Sequence, residues 1–189
     1  MSKALENKAA IVTGASRNIG AAIAVCLAAE GAKVAIFART VEAGTSRLAG
    51  SLNEVAERIR AVGGECLPIG ADLAREDQRA RIVPDNIAHF AGVDILINNA
   101  AWCRYRSRHE HHLPDVRKTL EINVVAPLHQ TQPCLESMQS HGGGWVVNLS
   151  NATVNHPRPA PYDFNERSTR INFNDRHLSI RPARRPWNE

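Results

Sequence analysis

The run Thr13-Gly14-Ala15-Ser16-Arg17-Asn18-Ile19-Gly20 stands between an apolar segment, Ala9–Val12, and a stretch of small and aliphatic residues from Ile19 to Glu30. A turn of this kind, between a strand and a helix, is suited to an anion. The first helical turn presents unpaired N–H groups and the positive end of the helix dipole, which fit a pyrophosphate. Gly14 permits the tight turn, and Gly20 lets the helix lie close to the sheet. Asn18 takes the place of a further glycine, and asparagine is among the residues that best tolerate a positive φ. A second feature lies just beyond the apolar segment Val34–Phe37, where Ala38 and Arg39 stand and no carboxylate does. With Arg17 in the turn nearby, two guanidiniums suit a phosphate dianion, which arginine clamps in a bidentate way. The alternative is that both are solvated surface arginines. Glu42 is the nearest acidic group in the sequence.

An anion-binding turn works only if a strand and a helix hold it, and the rest of the chain supplies repeated units of that type. Ala9–Val12 reads as a first buried strand. Gly31 ends the helix Ile19–Glu30 ahead of a second strand, Val34–Phe37. Leu48, Leu52, Val55, Ile59 and Val62 step by four and three along one helix face, which Gly63–Gly64 closes. Cys66–Ile69 reads as a third strand, and Glu76–Phe90 as a helix that Pro84 must kink or split. Asp94–Ile97 is a fourth strand and Val116–Met138 a long helix with Pro127 and Pro133 as irregularities. Trp145–Leu149 is a fifth strand. Strands separated by helices run parallel, with right-handed crossovers. The expected fold is therefore α/β, a doubly wound parallel sheet of Rossmann type, incomplete on its C-terminal side, with ligands bound beyond the strand C-termini.

Composition narrows the function classes. Hydrophobic residues make up 43% of the chain and charged residues 22%, the balance of an ordinary globular protein. The longest near-apolar run, Ile19 to Ala29, is too short for a membrane span of about 20 residues, and no apolar signal core follows the first lysines. Cys26, Cys66, Cys103 and Cys134 are scattered and form no Cys-x-x-Cys pair, which favours reduced thiols and a cytoplasmic location. The net charge of +4 is concentrated late. From His156 onward there are seven arginines, four acidic residues and five of the ten prolines. That reads as a solvated basic tail rather than a nucleic-acid site. Cys103 and the run His109-Glu110-His111-His112 lack a spaced ligand motif, so a polar loop is expected and no metal site.

With the elements placed, the glycine turn is similar to the Thr-Gly-x-x-x-Gly-x-Gly turn of the short-chain dehydrogenase/reductase family. Asp72 in Ala71-Asp72-Leu73 resembles the family's aspartate after the third strand, and Asn98-Asn99-Ala100-Ala101 resembles its Asn-Asn-Ala-Gly. Asn123 in Glu121-Ile122-Asn123-Val124 resembles its helix asparagine. Taken singly, Asp72 reads equally as a helix cap and the asparagines as turn residues. The resemblance covers about residues 5–155. It implies an NAD(P)-binding Rossmann domain at 1–155, followed by an irregular Pro/Arg-rich tail at 156–189. It further implies an oxidoreductase acting on a small alcohol or carbonyl, and a homo-oligomer. The implied cofactor residues are Gly14, Ser16, Arg17, Asn18, Ile19 and Gly20 at the pyrophosphate, Arg39 at the ribose, Asp72 and Leu73 at the adenine, and Asn99 with Ala100 beyond. Ala38–Arg39 and Arg17 favour NADP(H) over NAD(H), because an acidic residue at that point would hold a free 2′-hydroxyl and repel a 2′-phosphate.

The implied catalytic residues are Asn123, which holds a proton-relay water, Ser150 at the end of the fifth strand, and Tyr162. Here the chain departs from the family. The place of the usual serine carries Asn151, with Ser150 one residue early. Four residues after Tyr162 stands Glu166 instead of a lysine, and no lysine occurs after Lys118. A free phenol is a poor base at neutral pH, and a neighbouring carboxylate raises its pKa further. The change in composition after Asn155 leads to the expectation of a truncated or frame-shifted chain, in which the turn is kept and the proton donor is not. The alternative function is then a non-catalytic nucleotide-binding protein.

Overall fold

The computed structural model describes residues 3–104, 112–150 and 179–180. Five parallel strands form the sheet: β1 Ala9–Thr13, β2 Lys33–Ala38, β3 Cys66–Gly70, β4 Ile95–Asn98 and β5 Gly144–Asn148. A two-residue strand, β6 Ser179–Ile180, pairs antiparallel with Gly144 and Trp145. The spatial order is β3-β2-β1-β4-β5-β6. The chain winds outward from β1 through β2 to β3, then returns to lay β4 on the other side of β1. That reversal opens a crevice beyond the C-terminal ends of β1 and β4.

Every residue of β1 and β4 is buried, as expected for strands covered on both faces. The period-two alternation sorts them. Ile11, Phe37 and Leu96 belong to one core with Ile82, Val83 and Met138, while Val12, Ile36 and Ile97 belong to the other with Ala24, Val55 and Ile59. The second core is covered by α1 (Asn18–Ala29) and α2 (Leu52–Ala61). Ala21, Ala24 and Ala28 are the buried face of α1, so its small side chains let the helix lie close to the strands.

Three elements differ in detail from the sequence expectation, and the Pro84 segment splits as expected. The α2 helix starts at Leu52 rather than at Leu48. Gly50 has φ +99°, and the Ser51 hydroxyl accepts the Glu54 N–H at 3.2 Å as an N-cap, so Leu48 lies before the helix and is exposed. The region around Pro84 splits into α3 (Glu76–Arg79) and α4 (Ile82–Phe90). The break falls just ahead of the proline, which sits in the first turn of α4 where its missing N–H costs no helical bond. The long helix runs from α5 (Leu113–Leu120) through a π-helical turn, Glu121–Val125, into α6 (Ala126–Ser140). Pro127 explains the wide turn, since a proline ring collides with the carbonyl of the residue four before it, here Asn123. In the tail, where no strand was expected, Ser179–Ile180 pairs with the start of β5. Among the described residues no helix is long and apolar enough to cross a membrane.

Candidate functional site

The crevice is a cleft of about 380 Å³ at the C-terminal ends of the strands. The residues expected at a dinucleotide converge on it. Gly14, Ser16, Arg17, Asn18, Ile19 and Gly20 line it from the first turn, as do Arg39 beyond β2, Asp72 and Leu73 beyond β3, and Asn99 and Ala100 beyond β4. Gly14 has φ +67° and Asn18 has φ +49°, so asparagine does occupy the left-handed conformation that a glycine would take. Gly20 is fixed by space rather than by φ. A Cβ there would stand 2.4 Å from Asn99 Nδ2 and 2.5 Å from the Gly14 carbonyl oxygen. Ala101, which replaces the last glycine of Asn-Asn-Ala-Gly, is exposed and lines the cleft, so its methyl group is accommodated.

Asn99 does its work inside the protein. Its Nδ2 donates to the Thr13 and Gly14 carbonyls at 2.8 and 3.2 Å, and its backbone N–H donates to Thr13 Oγ1 at 2.9 Å. The Ala100 N–H donates to the same hydroxyl, also at 2.9 Å. Thr13 thus laces the ends of β1 and β4 together. Sequence reasoning quoted it as part of the turn without seeing that role, and only its place before Gly14 hinted at it.

Asp72 closes a local turn. Its Oδ1 accepts the Ala74 N–H at 3.0 Å, and its own N–H donates to Gln78 Oε1 at 2.8 Å. Asp72 is therefore a turn residue and not a helix cap, since α3 begins after Arg75 with no side-chain cap, and one carboxylate oxygen is committed to the turn. Arg17 Nη2 donates to Thr40 Oγ1 at 3.0 Å and to the Gly50 carbonyl at 3.3 Å, while Nη1 is buried with no partner. An orphaned guanidinium nitrogen at the wall of a cleft is a vacant donor for an anion. Ala38 and Arg39 line the same region and Glu42 does not. The residues present fit a phosphorylated dinucleotide: a helix N-terminus at the turn, an unpartnered guanidinium donor and no carboxylate at the end of β2.

Of the expected catalytic residues, the two that are described, Asn123 and Ser150, do not line the cleft. Asn123, in the π-helical turn, uses one acceptor and one donor of its amide on Trp102, accepting the Trp102 N–H at 2.9 Å and donating to the Trp102 carbonyl at 3.0 Å. Ser150 is exposed beyond β5 and is not among the lining residues. Tyr162, Asn151 and the run His109–His111 lie outside the described residues. Trp102 itself lines the cleft, and no sequence motif pointed to it.

A buried arginine was also missed. Arg79 is 3% exposed. Its Nε donates to His129 Nδ1 at 3.0 Å, and its Nη1 donates to the Leu73 carbonyl at 2.9 Å and to Glu121. Two of the four thiols are held back by burial. Burial pushes Cys66 and Cys134 up to about 12, so both stay protonated. Among the described residues no three His, Cys, Asp or Glu side chains come together as metal ligands.

Comparison with known proteins agrees with this geometry. The short chain dehydrogenase family model matches residues 8–162. An uncharacterized oxidoreductase of Thermotoga maritima is 33% identical over 160 residues, which are 84% of this chain and 59% of the relative. Hydroxysteroid dehydrogenase-like protein 2 of Bos taurus is 33% identical over 139 residues, 74% of this chain and 33% of the relative. The chain thus spans three fifths or less of the length of these curated relatives. Among solved structures, a metagenomic short-chain oxidoreductase in complex with NADP is similar at TM-score 0.80 and 30% identity, over 89% of this chain and 72% of that one. A short chain dehydrogenase from Burkholderia cenocepacia in complex with NADP gives 0.76 and 32%, over 88% and 64%.

Proposed function

This chain belongs to the short-chain dehydrogenase family, and from that premise we propose that its cleft binds NADP(H) in preference to NAD(H) for hydride exchange with a small alcohol or carbonyl. The observation that carries this reading is the unpartnered, buried Nη1 of Arg17, in a cleft wall that includes Arg39 and no carboxylate at the end of β2. Bound there, the cofactor would supply or accept the hydride at its nicotinamide ring.

The chain's own residues divide the remaining work. The N-terminus of α1, between Gly14 and Gly20, receives the pyrophosphate through its free N–H groups. Arg17 and Arg39 meet the 2′-phosphate. The Asp72 oxygen not committed to Ala74, together with Leu73, faces the adenine. Asn99 holds the turn in shape and Ala100 closes the wall beside Gly14. Ser150 is the hydroxyl available to polarise a carbonyl and Tyr162 the phenol available to move a proton, yet Ser150 lies outside the cleft lining. With Asn123 bonded to Trp102 and also outside the cleft lining, that placement supports a second reading, in which the chain binds nucleotide and turns over slowly or not at all. Loss of general acid–base assistance removes typically about 10²–10⁴-fold in rate.

The test is calorimetric titration of NADPH and NADH into wild type and Arg39→Asp, with NADPH oxidation followed against ketones, aldehydes and quinones. The preference for NADPH is expected to collapse in Arg39→Asp, and an unchanged preference removes Arg39 from the site. Binding without turnover selects the second reading. Turnover that collapses in Tyr162→Phe selects the first.

A further inference from the structure

Arg17 has two partners outside its own turn, and both lie on the connection between β2 and α2. Its Nη2 donates to Thr40 Oγ1 at 3.0 Å, where that connection begins, and to the Gly50 carbonyl at 3.3 Å, where it ends. The two ends are also closed on each other, since the Leu52 and Asn53 N–H groups donate to the Thr40 and Val41 carbonyls at 3.0 and 3.1 Å. Gly50 is pressed against the glycine turn itself. A Cβ there would stand 2.6 Å from the Ser16 carbonyl oxygen and 3.0 Å from Arg17 Cβ. A segment whose ends are pinned together in this way is an Ω-loop, a form of about 6–16 residues that frequently carries function.

Between its pinned ends the loop is held by little. Residues 41–49 form neither helix nor strand, and all but Ser46 are exposed. The side-chain hydrogen bonds within it are local: Thr45 Oγ1 donates to the Glu42 carbonyl at 2.7 Å, and the Leu48 N–H donates to Ser46 Oγ at 3.2 Å. A segment with so few buried contacts opens at low free energy. Ser46 and Leu48 nevertheless line the cleft beside Arg17, Arg39 and Thr40. Leu48 is 67% exposed, so a ligand in the cleft offers an apolar side chain cover that the free protein does not. Arg17 Nη1 shows the converse, being buried without a partner. One guanidinium thus holds the loop through Nη2 and keeps Nη1 in reserve. An anion reaches a buried atom only when what is packed on it moves, and the segment packed on the Arg17 side chain is this loop.

We propose that residues 41–50 form a strap that lifts to admit a 2′-phosphorylated adenine nucleotide and closes on it, with Arg17 as the latch and Leu48 as the cover; this inference rests on the cofactor reading above. With phosphate on Nη1, the guanidinium is held from both sides, and the strap is tied to the ligand through Thr40 and Gly50. Charge-assisted bonds of this kind are the strong ones. The ligand favours the closed strap because it meets Leu48 only there. Thr40 is a positioning residue, acting on the phosphate through Arg17.

The experiment is limited trypsin digestion of the protein alone, with adenosine 2′,5′-bisphosphate, and with 5′-AMP, which lacks the 2′-phosphate. Calorimetry sets the two nucleotides to the same fractional saturation. Arg47 is exposed and is the one tryptic site within 41–50, while Arg58 and Arg60 in α2 report unfolding of the domain. Cleavage after Arg47, followed by mass spectrometry, is expected to slow about tenfold or more with the bisphosphate and much less with 5′-AMP. In the free protein, Thr40→Val should speed that cleavage about threefold, the size of one modest hydrogen bond, and Thr40→Ser should restore it. Leu48→Ala should bind the bisphosphate about fivefold more weakly. Unchanged cleavage with the bisphosphate bound, equal protection by the two nucleotides, or changes at Arg58 and Arg60 that run parallel to Arg47 overturn the strap. A protein that binds no bisphosphate refutes the cofactor reading and the strap with it, whereas binding that leaves Arg47 open refutes the strap alone.

Discussion

The two ends of the cleft are shaped by different means. At the pyrophosphate turn the geometry is mostly backbone: Gly14 and Asn18 at positive φ, Gly20 under Asn99, and the free N–H groups of α1. At the Trp102 end it is mostly side chain, with Asn123 of the π-helical turn bonded to the Trp102 backbone and Lys118 of α5 standing over its ring. A backbone-shaped site tolerates few residue types, so it leaves a spelling in the sequence. A side-chain-shaped site is specified by contacts between distant positions and leaves none.

Arg79 ties the two ends together, and removing it gives the largest effect expected here. Its guanidinium joins Leu73, in the cleft wall beyond β3, to Glu121, which opens the π-helical turn that carries Asn123. Arg79→Met keeps the bulk of the side chain and leaves Glu121, His129 and the Leu73 carbonyl without their donor. Glu121 is about one third exposed, so water takes up part of the lost contact and a cost of about 2–4 kcal/mol is expected, at or below that of breaking a fully buried pair. Thermal and urea unfolding should show that loss, and the double variant Arg79→Met/Glu121→Leu should recover part of it. A loss below about 1 kcal/mol in the single variant would show that the two ends are held independently.

How much of this was legible follows from the same distinction. The five parallel strands and the α1 turn were readable, because hydrophobic period and glycine placement encode them locally, and the residues expected at a cofactor line one cleft. Asn18 at positive φ was readable for the same reason. Arg79 was not. An arginine in a four-residue helix looks like solvated surface, and its burial depends on Glu121, His129 and Leu73 arriving from elsewhere in the chain. The start of α2 was misplaced because Leu48 kept the helical spacing, while the Gly50–Ser51 cap set the boundary. The partner of Asn123 was missed because a π-helical turn shifts the register of a helix face, and its cause, Pro127, reads only as an irregularity.

Gly20 sharpens the comparison from the backbone side. In Gly20→Ala the added methyl must displace the Asn99 side chain or the Gly14 carbonyl, at 2.4 and 2.5 Å. Overpacking of this kind costs about 1–3 kcal/mol. The strain falls on the anion-binding turn itself, so NADPH binding should weaken more than stability does. The check is a melting curve paired with a cofactor titration. A variant that melts lower yet binds NADPH like wild type would remove the turn from the cofactor site.

Asn123 sharpens it from the side-chain side, with the smallest effect. In Asn123→Ala the Trp102 N–H and carbonyl both lose their partner. Trp102 is only half-buried, so water can replace part of what is lost, and a cost of about 1–2 kcal/mol is expected, below that of two fully buried groups. The consequence should be local. The Trp102 ring loses its fixed register, while the Arg17 and Asp72 contacts lie at the other end. Titration with adenosine 2′,5′-bisphosphate, which fills only the adenine and phosphate end, should give wild-type affinity in Asn123→Ala. Carbonyl ligands on the NADP⁺-saturated protein should bind more weakly. Weakening of both ligands to the same degree would mean that the cleft deforms as one body, with Asn123 acting on the whole fold rather than on the ring it holds.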